Sequence, residues 1–237
     1  MRLQALLLGL VLLAAAPVAA KTHKTHKPAR EPVVVELFTA QGCADCAQAN
    51  ELLAKIADEP GVIALTFPVD YWDYLGWHDT FAKPEFGERQ RAYMKAMKLR
   101  DVYTPQVVVD GSRQLAGVKP DEVQAAVREA GEGHGRLVAI SASRGRAQVG
   151  SGKAPVGGAV VWLVRYDPEV REVQVKTGEN KGRAIRHAHL VRQLVKLGDW
   201  KGSAKAFRMP KASEDGLKSV VIVQAARTGK LVAAKKL

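Results

Sequence analysis

The sequence predicts an α/β domain of order βαβαββα over residues 33–134, followed by a small all-β, antiparallel and sandwich-like domain over residues 135–237. Three observations predict it. An apolar run, Val33 to Phe38, gives way to a helical pattern at Cys43-Ala44-Asp45-Cys46; strand-like and helix-like stretches then alternate as far as Ala130; beyond Gly135 only short β-rich runs between glycine-rich turns remain.

Ahead of the first strand, residues 1–20 read as a secretory signal. Arg2 supplies the positive end, Ala5 to Ala16 the apolar stretch and Val18-Ala19-Ala20 a small-residue cleavage site. That stretch falls short of the roughly 20 apolar residues that cross a bilayer. No later segment approaches the length, so no integral membrane span is expected. Residues 21–32 are polar, basic and without period, as expected of a disordered leader. The expected location is periplasmic or secreted, where a cysteine pair persists or cycles as a disulfide.

Val33 to Phe38 is nearly continuously apolar, the pattern of a central strand covered on both faces. Gln41-Gly42 breaks it. Ala47, Leu52, Leu53 and Ile56 then recur at helical spacing up to the stop at Pro60-Gly61. Val62 to Val69 is the second strand and Phe86 to Met97 the second helix. Gln106 to Val109 and Arg113 to Gly117 pair through the turn Asp110-Gly111. Pro120-Asp121-Glu122 opens the third helix, with Val123, Ala126 and Val127 as its apolar face. In the second half, strands are expected at Arg136–Ala142, Ala159–Tyr166, Glu172–Lys176, Phe207–Met209, Ser219–Ala225 and Leu231–Ala234. Ile185 to Leu197 reads as one strand, which would place His187 and His189 on a single face.

Cys43 and Cys46 are the only cysteines of the chain, and they sit at the first strand-to-helix junction. Exchange chemistry needs a thiolate. A helix starting near Ala44 would aim free amides and the positive end of its dipole at Cys43, making it the nucleophile, with Cys46 one turn on as the resolving thiol. Asp45 modulates this pair. Its charge opposes the thiolate, which predicts a bias toward reducing substrates; the same residue also suits an early helix position. Because the first two strands should be parallel, the segment after the second reaches the same end of the sheet. Tyr71, Trp72, Trp77 and His78 are therefore candidate substrate-binding residues, or packing for a long loop.

The strand order, the CxxC at its first junction and Thr104-Pro105 before the third strand resemble the thioredoxin fold over about Val33 to Ala130. The segments FTAQGCADC, VDYWDYLGWHD, ERQRAY and VYTPQVVVDG also resemble an exported bacterial family with a thioredoxin-like domain, domain of unknown function 1223. The resemblance implies a cis peptide bond at Pro105, in a loop opposite the cysteines, with Thr104 offering backbone groups to an extended substrate. It implies a reaction only by analogy.

The formal charge of +12 is spread along the chain without a nucleic-acid-reading motif, so no nucleic-acid partner is expected. No dinucleotide fingerprint, Walker loop, serine elbow or His-Glu-x-x-His is present, and no cofactor is expected. The leading expectation is an exported thiol-disulfide oxidoreductase acting on a protein or small-molecule thiol or disulfide. A non-catalytic binding module with a structural Cys43–Cys46 disulfide is the alternative. Copper or other metal handling through the two thiolates and a histidine is a third. The β domain could recruit substrate, dimerise the chain or cover the redox face.

Overall fold

The computed structural model describes residues 31–133 and 138–237. The expected signal, residues 21–30 of the leader and the junction at 134–137 lie outside them. Strands β1 (Val33–Thr39) and β2 (Val62–Pro68) are parallel, joined through helix α1 (Cys46–Ala57). Helix α2 (Pro84–Ala96) leads to β3 (Gln106–Val109), antiparallel to β1; β4 (Arg113–Ala116) and α3 (Pro120–Glu132) complete the expected order.

Period-two alternation on β1 decides what each face meets. Val33, Val35 and Leu37 pack with Leu52, Leu53 and Ile56 of α1 and Val123, Ala126 and Val127 of α3. Val34 and Phe38 face the other way, into a cluster that holds Phe86 and Tyr93 of α2 and both cysteines. Each fully buried Phe or Leu here contributes roughly 1.5–3 kcal/mol relative to exposure. Glu36 shares that second face and is 0% exposed. Burying a carboxylate is tolerable only with a partner. Arg89 of α2 supplies it, with Nε 2.5 Å from Glu36 Oε2 and Nη2 2.8 Å from Oε1, and Tyr93 adds its hydroxyl at 2.7 Å.

The second half comprises β5 (Ile140–Ser143), β6 (Arg146–Val149), β7 (Ala159–Asp167), β8 (Arg171–Gln174), β9 (Ala184–His187), β10 (Leu190–Trp200), β11 (Lys205–Arg208), β12 (Lys218–Ala225) and β13 (Leu231–Lys236). It differs from the expected self-contained sandwich. Four of its strands extend the first sheet, giving eight strands in the order β13-β12-β7-β10-β2-β1-β3-β4. The join is β10 beside β2, parallel at Leu190 and Thr66, where the Thr66 amide and hydroxyl donate to the carbonyls of His189 (3.0 Å) and Ala188 (2.6 Å). Without β10, β2 would be an edge with unpaired backbone groups. The two-layer expectation holds locally, since the three-stranded sheet β11-β6-β5 packs Ile140, Ala147, Val149 and Phe207 on Val161, Leu163 and Val221 of the large sheet.

Ile185 to Leu197 is not one strand. His189 takes a positive φ of 48°, uncommon for a side chain larger than glycine, and separates β9 from β10. The two histidines therefore do not share a face: β9 pairs with β8, whereas β10 joins the large sheet. A second tie between the halves forms at the other end. A Cβ on Gly111, at φ +62°, would collide with the Gly229 carbonyl, so only glycine lets the β3–β4 turn meet the β12–β13 turn.

Candidate functional site

Cys43 and Cys46 form a disulfide with a Cα–Cα separation of 5.4 Å. Helix α1 starts at Cys46, with Asp45 as its N-cap, and not near Ala44. Cys43 accordingly lies in a turn, its carbonyl accepting from the Cys46 amide at 3.2 Å. The helix starts two residues later than expected: the Cys43 amide donates to the Ala40 carbonyl at 3.2 Å in a turn ahead of it, and Asp45 makes no side-chain cap bond. Ala44 and Asp45 are exposed, whereas Cys43 is 3% and Cys46 0% exposed. Both cysteines thus belong to the core cluster, onto which Tyr71 and Trp72 also pack.

Gln41 is the centre of the polar shell beside them, and it is fully buried. Its amide donates to Asp79 Oδ2 at 2.7 Å, its side-chain amide to the Thr80 hydroxyl at 3.3 Å, and its Oε1 accepts from Trp77 Nε1 at 2.8 Å. Asp79 also accepts from the amides of Phe81 (2.9 Å) and Ala82 (3.2 Å). Burial pushes its carboxyl up to about 6 against the pull of those amides.

Thr104-Pro105 has a cis peptide bond. The pairing of Phe38 with Gln106 brings it to the end of the sheet from which the CxxC turn leaves. Trp72 Nε1 donates to Thr104 Oγ1 at 2.7 Å, and Gln90 Nε2 donates to the Tyr103 carbonyl (2.8 Å) and Gln106 Oε1 (2.9 Å). The buried Tyr71 hydroxyl has no hydrogen-bond partner, and burial pushes it up to about 12. Gly117 fixes the depth of this loop: a Cβ there would lie 2.9 Å from Cβ of both Ala49 and Pro105. Trp72 thus links the proline loop, through Thr104, to the cysteine turn, where its Cβ lies 3.5 Å from a Cβ built on Gly42, and Trp77 holds Gln41. His78 does not join them. Its side chain is 85% exposed, with Nδ1 2.6 Å from Asp73 Oδ2, a local pairing that the spacing of VDYWDYLGWHD did not reveal.

Over the cysteine turn lies the segment between β8 and β9. Asn180, itself 0% exposed, donates through Nδ2 to the carbonyls of Gln41 (2.8 Å) and Cys43 (2.7 Å). Glu179 Oε2 accepts from the Ala44 amide at 3.3 Å, and Arg183 bridges Asn180 Oδ1 (2.7 Å) and the Ala44 carbonyl (3.4 Å). Thr177 holds the Gly76 carbonyl at 2.6 Å. Sequence reasoning missed these residues. Their only signal is a polar turn between two glycines, Gly178-Glu179-Asn180-Lys181-Gly182, with nothing to tie it to cysteines more than 130 positions away.

A family model described as "Protein of unknown function (DUF1223)" matches residues 34–224. The chain belongs to the DUF1223 family. The match spans both halves of the sheet, including Cys43, Pro105 and Asn180. An X-ray structure of a protein from Agrobacterium tumefaciens is similar at 31% identity and a TM-score of 0.67, covering 88% of this chain and 96% of that one. HBP35 of Porphyromonas gingivalis shares the fold at 17% identity and a TM-score of 0.61, over 89% of this chain and 76% of that one. No curated protein matches the chain.

Among the described residues no three His, Cys, Asp or Glu side chains gather as a metal site, and no helix is long and apolar enough to cross a membrane. His187 is fully buried with neither ring nitrogen hydrogen-bonded, its ring edge-on to Phe81 at 5.5 Å; burial lowers it to about 4. The copper reading needed His78 or His187 beside Cys43; among the described residues neither joins the two cysteines in a metal-holding group. A cavity of about 490 Å³ lies away from the cysteines, between α2 and the C-terminal strands, lined by Arg89, Tyr93, Trp162, Leu194 and Gln224.

Proposed function

We propose that this DUF1223 protein is an exported, thioredoxin-like thiol-disulfide oxidoreductase, working in the periplasm or outside the cell. The observation that carries the reading is the Cys43–Cys46 disulfide at the β1–α1 junction, at the same sheet end as cis Pro105. The βαβαββα order around it supports the thioredoxin-like part.

In the reducing direction, the Cys43 thiolate attacks one sulfur of a substrate disulfide. A Cys43–substrate disulfide forms as the substrate's other sulfur leaves and takes a proton. Cys46, deprotonated, then attacks Cys43 Sγ, releasing the second substrate thiol and leaving the protein oxidised. Two electrons and two protons have passed to the substrate. The reverse sequence oxidises a substrate dithiol, starting from the disulfide seen in the structure. Thr104 offers its backbone to an extended substrate, and Tyr71, Trp72 and Trp77 give that substrate an apolar wall. Asp45 biases the pair toward reduction, because its charge disfavours the Cys43 thiolate.

The test is a trap. Reduced Cys46→Ser protein, mixed with a disulfide-bonded model peptide, should accumulate a peptide adduct on Cys43 that dithiothreitol releases. No adduct, from protein shown to be folded and reduced, would contradict the reading.

A second reading, a binding module whose disulfide is structural, is favoured by one observation: both cysteines are buried, Cys43 at 3% and Cys46 at 0%. In that case the folded Cys46→Ser protein, with Cys43 as a free thiol, forms no adduct.

A further inference from the structure

The backbone groups of the cysteine turn are occupied from within. The carbonyls of Gln41 and Cys43 accept from one buried side-chain amide, that of Asn180, while the Ala44 amide donates to Glu179. Outside the turn, the same segment is tied at Thr177 to Gly76, and Gly178 packs 3.8 Å, measured from a Cβ built on it, from the Trp77 Cβ. Trp77 in turn holds Gln41. The segment therefore bridges the cysteine turn and the loop at Gly76-Trp77. Most of its residues are exposed: Lys176, Thr177, Gly178, Glu179, Lys181, Gly182 and Arg183 all face solvent, so little apolar burial resists its departure. Asn180 is the exception, and its polar contacts are what anchor it.

We infer that Thr177–Arg183 is a latch, with Asn180 as its bolt, that closes the Cys43–Cys46 disulfide to solvent and to reaction partners and must lift before either sulfur is attacked. Its role as a regulator of exchange rests on the oxidoreductase reading above; its control of access does not. Glu179 strengthens the closed state. Its carboxylate accepts from the Ala44 amide at 3.3 Å and so adds a contact between the segment and the cysteine turn.

The experiment measures access alone. The oxidised full-length protein is treated with tris(2-carboxyethyl)phosphine, and appearance of the two thiols is followed by alkylation and mass. Asn180→Ala removes three hydrogen bonds, two of them to the cysteine turn, and should accelerate reduction about tenfold or more. Lys181→Ala, an exposed change in the same turn, should leave the rate unchanged. If Asn180→Ala lowers the melting temperature of the whole protein, Arg183→Ala carries the test from the exposed rim, with an expected increase of about threefold. Equal rates in wild type and in both latch variants would overturn the inference. Faster phosphine reduction in a latch variant that forms no adduct in the peptide trap would leave the latch standing and remove the oxidoreductase reading.

Discussion

Gln41 shows how single residues build this site, because every polar group it carries is committed: amide to Asp79, carbonyl to Asn180, side chain to Trp77 and Thr80. Asp79 in turn satisfies three amides. Asp79→Ala leaves the buried Gln41 amide without its acceptor, while the Ala82 amide keeps the Asp79 backbone carbonyl, and should destabilise the protein by about 1–3 kcal/mol, measured by urea unfolding. His187 gives a prediction in pH. Its folded value, lowered to about 4, lies below the 6.5 of a free histidine, so the unfolded chain takes the proton first. Its contribution is complete above pH 6.5 or so and is lost as pH falls toward 4. Asp79 has the opposite sign: raised from 3.8 to about 6, its protonated form is favoured by the fold, and that contribution fades as pH rises through 6. His187→Leu should therefore lose less melting temperature than wild type between pH 6.5 and 4. An identical decline in both would show that His187 does not set the acid limb.

At the scale of elements, the sequence was most informative where hydrophobic period and turn chemistry act locally. The run Val33 to Phe38, the stop at Pro60-Gly61 and the turn Asp110-Gly111 place β1, the end of α1 and the β3–β4 hairpin close to where the structure has them. ERQRAY could be noticed but not explained. Its Arg89 and Tyr93 neutralise Glu36, and its Gln90 holds the proline loop through Tyr103 and Gln106, contacts made across distant parts of the chain. The latch was illegible for the same reason: a hydrogen bond between Asn180 and Cys43 leaves no periodicity. Packing between elements yields a further prediction. At Gly117 a larger side chain must push apart Ala49 of α1 and Pro105, each 2.9 Å from the Cβ position. Gly117→Val should cost about 1–3 kcal/mol in chemical denaturation and slow exchange more than it slows phosphine reduction. A neutral effect on both would show that the proline loop tolerates displacement.

For the molecule as a whole, the decisive feature is the eight-stranded sheet shared by both halves. Strand-pair preferences are set by partners, so the sequence predicted the strands of the second half but not that four of them continue the first sheet. One cluster runs across the join, from Phe38 and Phe67 to Val164, Val191 and Ile222. The account predicts a single cooperative unfolding transition, with tryptophan fluorescence and far-ultraviolet circular dichroism coinciding. Two separated transitions would contradict it. The shared sheet also explains how the second half reaches the cysteines: β10 anchors on β2, and β9 and its preceding turn are thereby held over the start of α1.

The most direct test of the central claim is the reduction potential of the Cys43–Cys46 couple, measured by equilibration with dithiothreitol of known poise and quantified by thiol alkylation. Exchange chemistry predicts a value above about −300 mV, toward the reducing end near about −270 mV because of Asp45. A value well below about −300 mV, the range of structural disulfides, would contradict it.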